Sequence, residues 1–361
     1  MAKDRETEIR LALFGQSAAG KTTLLASFYG NQQRHAFVEK HGYRLQAEDA
    51  ADGDELLGRY YGMQQGEFPR GSDQFSEHRF ALKVRAREQD LRAFRVVWYD
   101  YPGGWWEHSP KDESEQRARH EALARLATSH VGIFLIDGAK YRDAGIAYVR
   151  RLLDQFKNEV GSITVDRAAS GDTLPKQWIL AVSKADLLEG MSAEAVHRDL
   201  VMNASDQLKG LAAALHARDL GRHVLLLSAA EGDGAHVMAA DKYVGLSLIV
   251  PLAFSAILSA LASAAGSGDR IGLLRKVLEK LGLAFDIMDK LDDVLPRKYQ
   301  ILTHLLRMLD VKTAIERGDE WLREQQQKAA QRGHALEAAA LAMTRELKSD
   351  AARDVYYQSP G

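Results

Sequence analysis

The sequence predicts a three-layer α/β domain with a mostly parallel sheet, followed by an α-helical extension. Three observations carry that expectation. Short apolar runs alternate with helical segments between residues 9 and 229, the pattern of a parallel sheet covered on both faces. The glycine-rich stretch "GQSAAGKTT" (15–23) lies between one such run and one such segment. From Tyr243 onward only helical patterns occur.

Each element follows from its local pattern. "IRLALFG" (9–15) is a buried strand, and "KTTLLASFYG" (21–30) has helical spacing with a stop at Gly30. Residues 31–71 form a polar, partly helical insertion in which "DELLGRYYGMQQGEFP" is the best helix, ending before Pro69. "HRFALKVRA" (78–86) alternates as a half-exposed strand, and "FRVVWYD" (94–100) is more buried. The short link between them predicts a hairpin. A charged helix over 111–128 precedes the strand "HVGIFLIDG" (130–138). A helix over 143–158, the strand "WILAVS" (178–183), a helical stretch over 193–217 and a last strand "RHVLLLSA" (222–229) complete the domain, taken as 1–265. Amphipathic helices over 273–295, 297–318 and 319–350 make the extension, 266–361, with its last ten residues frayed.

Composition narrows the class only slightly. The 361 residues are 46% hydrophobic, enough for one large domain and a smaller one. A net charge of −2 supplies no basic field, so no nucleic-acid partner is expected. The absence of cysteine excludes disulfides, thiolate metal sites and cysteine nucleophiles, and fits a reducing cytoplasm. The start "MAKDRETEIR" lacks the apolar core of a signal peptide.

Four stretches carry chemistry. Gly15, Gly20, Lys21 and Thr22 satisfy G-x-x-x-x-G-K-[ST] between a strand and a helix. There the backbone N–H groups of Gly15, Gln16, Ser17, Ala18, Ala19, Gly20, Lys21, Thr22 and Thr23 can turn around a phosphate. Lys21 would supply charge to the β and γ phosphates, and Thr22 a hydroxyl to Mg²⁺. Second, Asp100 ends a buried strand, where it can reach Mg²⁺ through a water, and Gly103 would offer an N–H to the γ-phosphate. Third, in "AVSKADLL" (181–188), Asp186 can accept from both N1–H and the exocyclic amine of guanine, a donor pair adenine lacks. Lys184 would lie along the base, and Ser183 would tie this loop to the phosphate loop. Fourth, Ser228, Ala229 and Ala230 end the last strand, where a backbone N–H can reach guanine O6.

In that order these motifs resemble the P-loop GTPases of the translation-factor-related class, which holds Ras-like, dynamin-like and immunity-related members. The resemblance covers about residues 8–265 and implies a Ras-like G domain that binds GTP or GDP with Mg²⁺. Gly15–Thr22 matches the first motif, Asp100–Gly103 the third, Ser183–Asp186 the fourth and Ser228–Ala230 the fifth. The long helical spacer and "GEFPRGS" resemble the bacterial double-GTPase-like families.

Three departures shape the expected activity. Ser183 stands where the family carries Asn or Thr. No threonine lies between Thr23 and Thr128, so Ser72 is the candidate switch hydroxyl for Mg²⁺, with Ser76 as competitor; Arg70 is a candidate cis arginine for transition-state charge. Gly104 follows the D-x-x-G turn where Ras-like proteins place a water-orienting glutamine, so slow intrinsic hydrolysis is expected. Glu107 and His108 are near in sequence. Trp105 and Trp106 would ride on this second switch, either anchoring a protein effector or a second copy, or packing on the neighbouring helix.

The uncharged run 243–268 is long enough to span a bilayer. The closing helix of the domain is the favoured reading, because Pro251 interrupts the run and the basic residues that follow would strand the nucleotide site outside the cell. The expected protein is thus a cytoplasmic, nucleotide-dependent switch acting on a partner or on its own assembly. The C-terminal helices would serve as effector or oligomerisation module. The rivals are a membrane-associated, dynamin-like or immunity-related mechanical GTPase and an ATP-using phosphotransferase.

Overall fold

The computed structural model describes residues 8–255, apart from 73, 87–88, 107, 109, 128, 169–176, 218–219 and 234, together with 335 and 338–359. The helices expected at 273–295 and 297–318, and the boundary at 265, lie outside the described residues.

The first apolar run is β1 (Glu8–Phe14). It leads through the glycine-rich loop into α1 (Lys21–Gln32). The insertion contains α2 (His35–His41), β2 (Tyr43–Ala47) and α3 (Ala50–Gln64), the last capped by Asp49, whose side chain accepts from the N–H groups of Ala51 and Asp52. The expected hairpin is β3 (Ser76–Ala86) and β4 (Gln89–Asp100). A 3₁₀ turn at Gly103–Trp106 precedes α4 (Glu113–Ala127), β5 (Val131–Asp137) and α5 (Gly138–Ala168), which kinks at Gly145. Then come β6 (Gln177–Ser183), α6 (Ala193–Asn203), α7 (Ser205–Ala214) and β7 (His223–Leu226). A small hairpin, β8 (Glu231–Gly232) and β9 (Val237–Ala239), precedes α8 (249–255). The chain ends with α9 (338–347), α10 (Asp350–Val355) and β10 (Tyr356–Gln358).

The main sheet has eight strands in the order β10-β7-β6-β5-β1-β4-β3-β2. Its centre is parallel, from β7 through β6, β5 and β1 to β4. Both edges are antiparallel, with β3 and β2 on one side and β10 on the other. Alternation along β1 sends Leu11 and Leu13 into one core and Ala12 and Phe14 into the other. Helices therefore cover both faces, and each large side chain buried there contributes about 1.5–3 kcal/mol.

Several expectations need correction. Gly30 does not end α1. Its missing side chain lets α3 pack against α1, because a Cβ there would stand 2.1 Å from the Tyr60 ring. The strand β2 was hidden in the insertion, because "YRLQA" alternates over only five residues and is held by its pairing with β3. Part of the last ten residues, expected to fray, is ordered. Tyr356–Gln358 extend the sheet at β7, and the Tyr356 hydroxyl lies 2.9 Å from His223 Nδ1.

The returning C-terminal segment is part of the domain core. Ala335, Ala339 and Met343 are buried in the α1 face. Glu346 joins α9 to the domain by accepting from Ser247 Oγ at 2.6 Å and pairing with His41 Nδ1 at 2.6 Å. Burial alone would raise the Glu346 carboxyl, but the hydrogen bonds from His41 and Ser247 outweigh it and hold the carboxyl below its ordinary range. Ile249, Val250, Leu252 and Ala253 of α8 enter the same core. The first half of the uncharged run is thus interior, while 256–268 lie outside the described residues. No helix among the described residues is long and apolar enough to cross a membrane.

Candidate nucleotide site

The carboxyl ends of β1, β4, β5, β6 and β7 meet at one edge of the sheet, where parallel α/β folds place ligands. A cavity of about 720 Å³ lies there, a size suited to a small-molecule ligand.

The glycine-rich loop forms one end. Ala18 (φ 61°) and Gly20 (φ 89°) both adopt left-handed backbone, which turns successive N–H groups of the loop toward a common centre. Lys21 Nζ is held over the loop by donating to Gly15 O at 2.7 Å and Gln16 O at 2.9 Å. Ser17, Ala18, Gly20, Lys21, Thr22 and Thr23 line the cavity. The other expected loop residues support it. Gly15 packs against Leu135, Gln16 donates to Gln155 Oε1 at 2.9 Å, and Ala19 is buried.

Opposite the loop stands the end of β4. Asp100 is buried and accepts from Thr22 Oγ1 at a long 3.5 Å. Its Oδ1 is buried with no protein partner. Burial pushes the Asp100 carboxyl above its ordinary range, while the nearby Lys21 ammonium pulls it down. A buried unpartnered carboxylate oxygen beside a threonine hydroxyl suits Mg²⁺, which binds few protein oxygens and keeps water and substrate phosphate as its other ligands. Gly103 touches the loop backbone, since a Cβ there would stand 2.4 Å from Ser17 N and 2.6 Å from Gln16 C. Only glycine allows that approach.

The turn that follows is braced. Arg119 Nη1 donates to the carbonyls of Trp105 at 2.8 Å and His108 at 2.7 Å, and the guanidinium lies 5.6 Å from the Trp105 ring centroid. Trp105 packs edge-on against Tyr101 with centroids 5.0 Å apart. The Trp105 ring thus packs between Tyr101 and Arg119 of α4. The Trp106 side chain and Glu107 lie outside the described residues. His108 lines the cavity, and Gly104 supplies no side chain to it.

At the far end of the cavity Asp186 accepts from Ser228 Oγ at 2.6 Å and from Gly232 N at 3.2 Å. These bonds orient the carboxylate, and its remaining lone pairs are available to a ligand. Ala229 and Ala230 line the same end, and Ser27 of α1 donates to the Ala229 carbonyl. Lys184 has left-handed backbone (φ 52°), and its Nζ pairs with Asp137 Oδ2 at 2.8 Å.

Two expected placements are corrected. Ser183 does not reach the phosphate loop; its hydroxyl donates to Ile136 O at 3.2 Å and ties β6 to β5. Arg70 is exposed and does not line the cavity. Ser72 does line it, with its hydroxyl donating to Gln74 O at 2.6 Å. Its competitor Ser76 lies beside Asp100 in the β3–β4 ladder but engages His78 Nε2 at 3.0 Å.

Sequence reasoning missed Asp137, Phe68, Gly232 and Arg119. Asp137 had a readable signal, an aspartate at the end of the buried strand preceding "WILAVS". Phe68 and Gly232 act through neighbours distant in the chain, and Arg119 through the turn that precedes its helix, so none left a local signal.

No family model and no curated protein matches the chain. Among solved structures it is similar to one of the signal recognition particle receptor SRb-GTP/SRX complex from Chaetomium thermophilum, at 19% identity over 64% of this chain and 95% of that chain, with a TM-score of 0.35. It is also similar to Era in complex with MgGDPNP and nucleotides 1506–1542 of 16S ribosomal RNA, at 13% identity over 62% of this chain and a TM-score of 0.29. An Aquifex aeolicus Era variant bound to GDP.AlF4- gives 14% identity over 62% of this chain and a TM-score of 0.30. The match spans 52% of either Era chain. Likenesses this weak carry no statement about ligand or partner.

Proposed function

We propose that this chain is a GTPase that binds GTP with Mg²⁺ and hydrolyses it slowly to GDP and phosphate, acting as a nucleotide-dependent switch. One observation carries the reading: a phosphate-type loop with its lysine, after β1, and an oriented aspartate suited to guanine, after β6, line one cavity with β5 between their strands. A nucleoside triphosphate has the same polarity, with anionic phosphates at one end and a hydrogen-bonding base at the other.

The roles follow from chemistry. The N–H groups of Gly15–Thr23 and the Lys21 ammonium take the phosphates. Thr22 and Ser72 would offer hydroxyl ligands to Mg²⁺, and Asp100 would reach it through a water. When bound, Mg²⁺ neutralises charge on the β and γ phosphates. The Gly103 N–H senses the γ-phosphate. Asp186 accepts from guanine N1–H and the exocyclic amine, Lys184 flanks the base, and the Ser228–Ala230 backbone meets O6. With Gly104 after the turn, no side chain at that position orients the attacking water, which supports a slow intrinsic rate. Arg70 would take part only if its loop moved inward. A protein effector or a second copy would engage the 103–108 segment and the C-terminal helices and supply what hydrolysis lacks.

The test is nucleotide identity. GTP and GDP should displace labelled GDP from the purified chain, and ATP should not. Asp186→Asn should weaken guanine nucleotides and favour xanthine nucleotides, because the amide presents a donor where guanine needs an acceptor. Displacement by ATP as effective as by GTP, or unchanged preference in the variant, would refute the guanine assignment.

A further inference from the structure

Strands β3 and β4 bring four side chains together on the sheet face where Phe28 of α1 packs on Trp98, ring centroids 5.0 Å apart. Ser76 stands directly opposite Asp100, and His78 directly opposite Trp98, so the four share one face. A fifth group comes from the insertion. Asp52, in the first turn of α3, places its Oδ1 2.6 Å from His78 Nδ1. On the other side of the ring, His78 Nε2 lies 3.0 Å from Ser76 Oγ. A hydrogen-bonded line, Asp52–His78–Ser76, thus runs from the insertion to the cross-strand neighbour of Asp100. Its middle member is buried.

The line has a direction. The Asp52 carboxylate offers only lone pairs, so Nδ1 donates to it. In the neutral ring Nε2 then accepts, and the Ser76 hydroxyl donates to it. The Ser76 proton is therefore turned away from Asp100. A directly opposed pair in antiparallel strands has its Cβ atoms about 5 Å apart, so one rotation of the serine would bring its hydroxyl to a carboxylate oxygen. Asp100 Oδ1 is nevertheless buried with no protein partner. A donor able to swing onto that oxygen is engaged elsewhere.

We propose that Asp52 and His78 are positioning residues that hold the Ser76 hydroxyl off Asp100 and so keep Oδ1 open to the water through which Asp100 would reach Mg²⁺. This rests on the nucleotide and metal reading above, and it gives the insertion helix α3 a part in the site. Without the His78 acceptor, the Ser76 hydroxyl would turn to Oδ1. That charge-assisted hydrogen bond would satisfy the carboxylate and compete with the metal-side water.

The experiment measures GDP release from the full-length chain in EDTA and in Mg²⁺. The parent is compared with Ser76→Ala, with His78→Phe and His78→Leu, and with each His78 variant combined with Ser76→Ala. Two apolar replacements of different size keep a packing defect from being mistaken for the lost acceptor. Mg²⁺ should slow release from the parent and from Ser76→Ala alike, because Ser76 is not itself a metal ligand. In the His78 variants the slowing should shrink by about tenfold or more, the strength of one hydrogen bond to a charged group. Adding Ser76→Ala should restore it, a rescue that a merely structural role for His78 would not give. Crystals of a nucleotide-free His78 variant supply an independent readout, with Ser76 Oγ expected within hydrogen-bond distance of Asp100 Oδ1. Loss of the Mg²⁺ response in Ser76→Ala, its survival in the His78 variants, or no recovery in the double variants would overturn the proposal. So would a Ser76 hydroxyl that points elsewhere in those crystals. A parent chain whose GDP release ignores Mg²⁺ would instead sink the metal reading, and this one with it.

Discussion

Asp100→Asn should stabilise the nucleotide-free protein at neutral pH while removing its response to Mg²⁺. The carboxylate is 2% exposed, and its Oδ1 has no protein partner. Leaving such an acceptor unsatisfied costs about 1–3 kcal/mol. Burial raises the Asp100 carboxyl above its ordinary value, the neighbouring Lys21 ammonium offsetting only part of this. The folded chain therefore holds that proton more tightly than the unfolded chain. Its stabilising contribution is full below the ordinary aspartate range and is lost as pH rises through the raised value. At pH 8 the ionised group is a net burden; in an asparagine whose Oδ1 still accepts from Thr22 the unpartnered atom becomes a neutral amide nitrogen, which costs less to bury than an unpaired charge. Thermal unfolding in EDTA should then show a gain at pH 8 of about 1–3 kcal/mol, roughly 3–10 °C in Tm, that shrinks toward pH 4. In parallel, added Mg²⁺ should slow GDP release from the parent and leave the variant unchanged. A variant less stable than the parent at pH 8, a gain equal at both pH values, or a preserved Mg²⁺ response would refute the reasoning.

Further outcomes follow from contacts elsewhere. Gly103→Ala drives a Cβ into the backbone of Ser17 and Gln16, which cannot rotate away. The turn must separate from the phosphate loop, and the preference for GTP over GDP should fall by about tenfold or more, the worth of one hydrogen bond to a charged group. Equilibrium titration of both nucleotides checks this. Glu346→Gln removes the charge that pairs with His41 and should cost about 1–3 kcal/mol, the lower part of the range being expected because the carboxylate is not fully enclosed. Amide exchange at Tyr356–Gln358 should rise as the C-terminal segment loosens. Since the Glu346 carboxyl is held below its ordinary range, its contribution is present above that range and lost as pH falls through the lowered value. The parent should therefore approach the variant in acid.

Which parts were legible depended on how far apart in the chain the partners lie. The glycine-rich loop could be read because its nine residues are contiguous and its conformation is set by Gly20 and the helix start that follows. The central strands could be read because burial on both faces leaves near-continuous apolar runs such as "VGIFLID". The edges could not. β2 and β10 are short and carry polar residues, and each exists as a strand because a neighbour offers unpaired backbone groups. Asp100 was identified by a strand end leading into a D-x-x-G turn and Asp186 by its place two residues after a lysine beyond a strand, but their environments were invisible. Nothing local shows that one is left with a buried unpartnered oxygen or that the other is held by Ser228 and Gly232.

By itself the sequence determined the α/β alternation, the phosphate-type loop and the polarity of the candidate site, since each depends on residues adjacent in the chain. Tertiary structure decided where side chains point once strands are in register. Ser183 faces Ile136, Lys184 meets Asp137, Arg70 stays outside the cavity, and the β8–β9 hairpin reaches Gly66. It also decided that the chain's end returns to pair with β7, because an open sheet edge and a buried His41 accept a segment some three hundred residues downstream of the helix that holds that histidine.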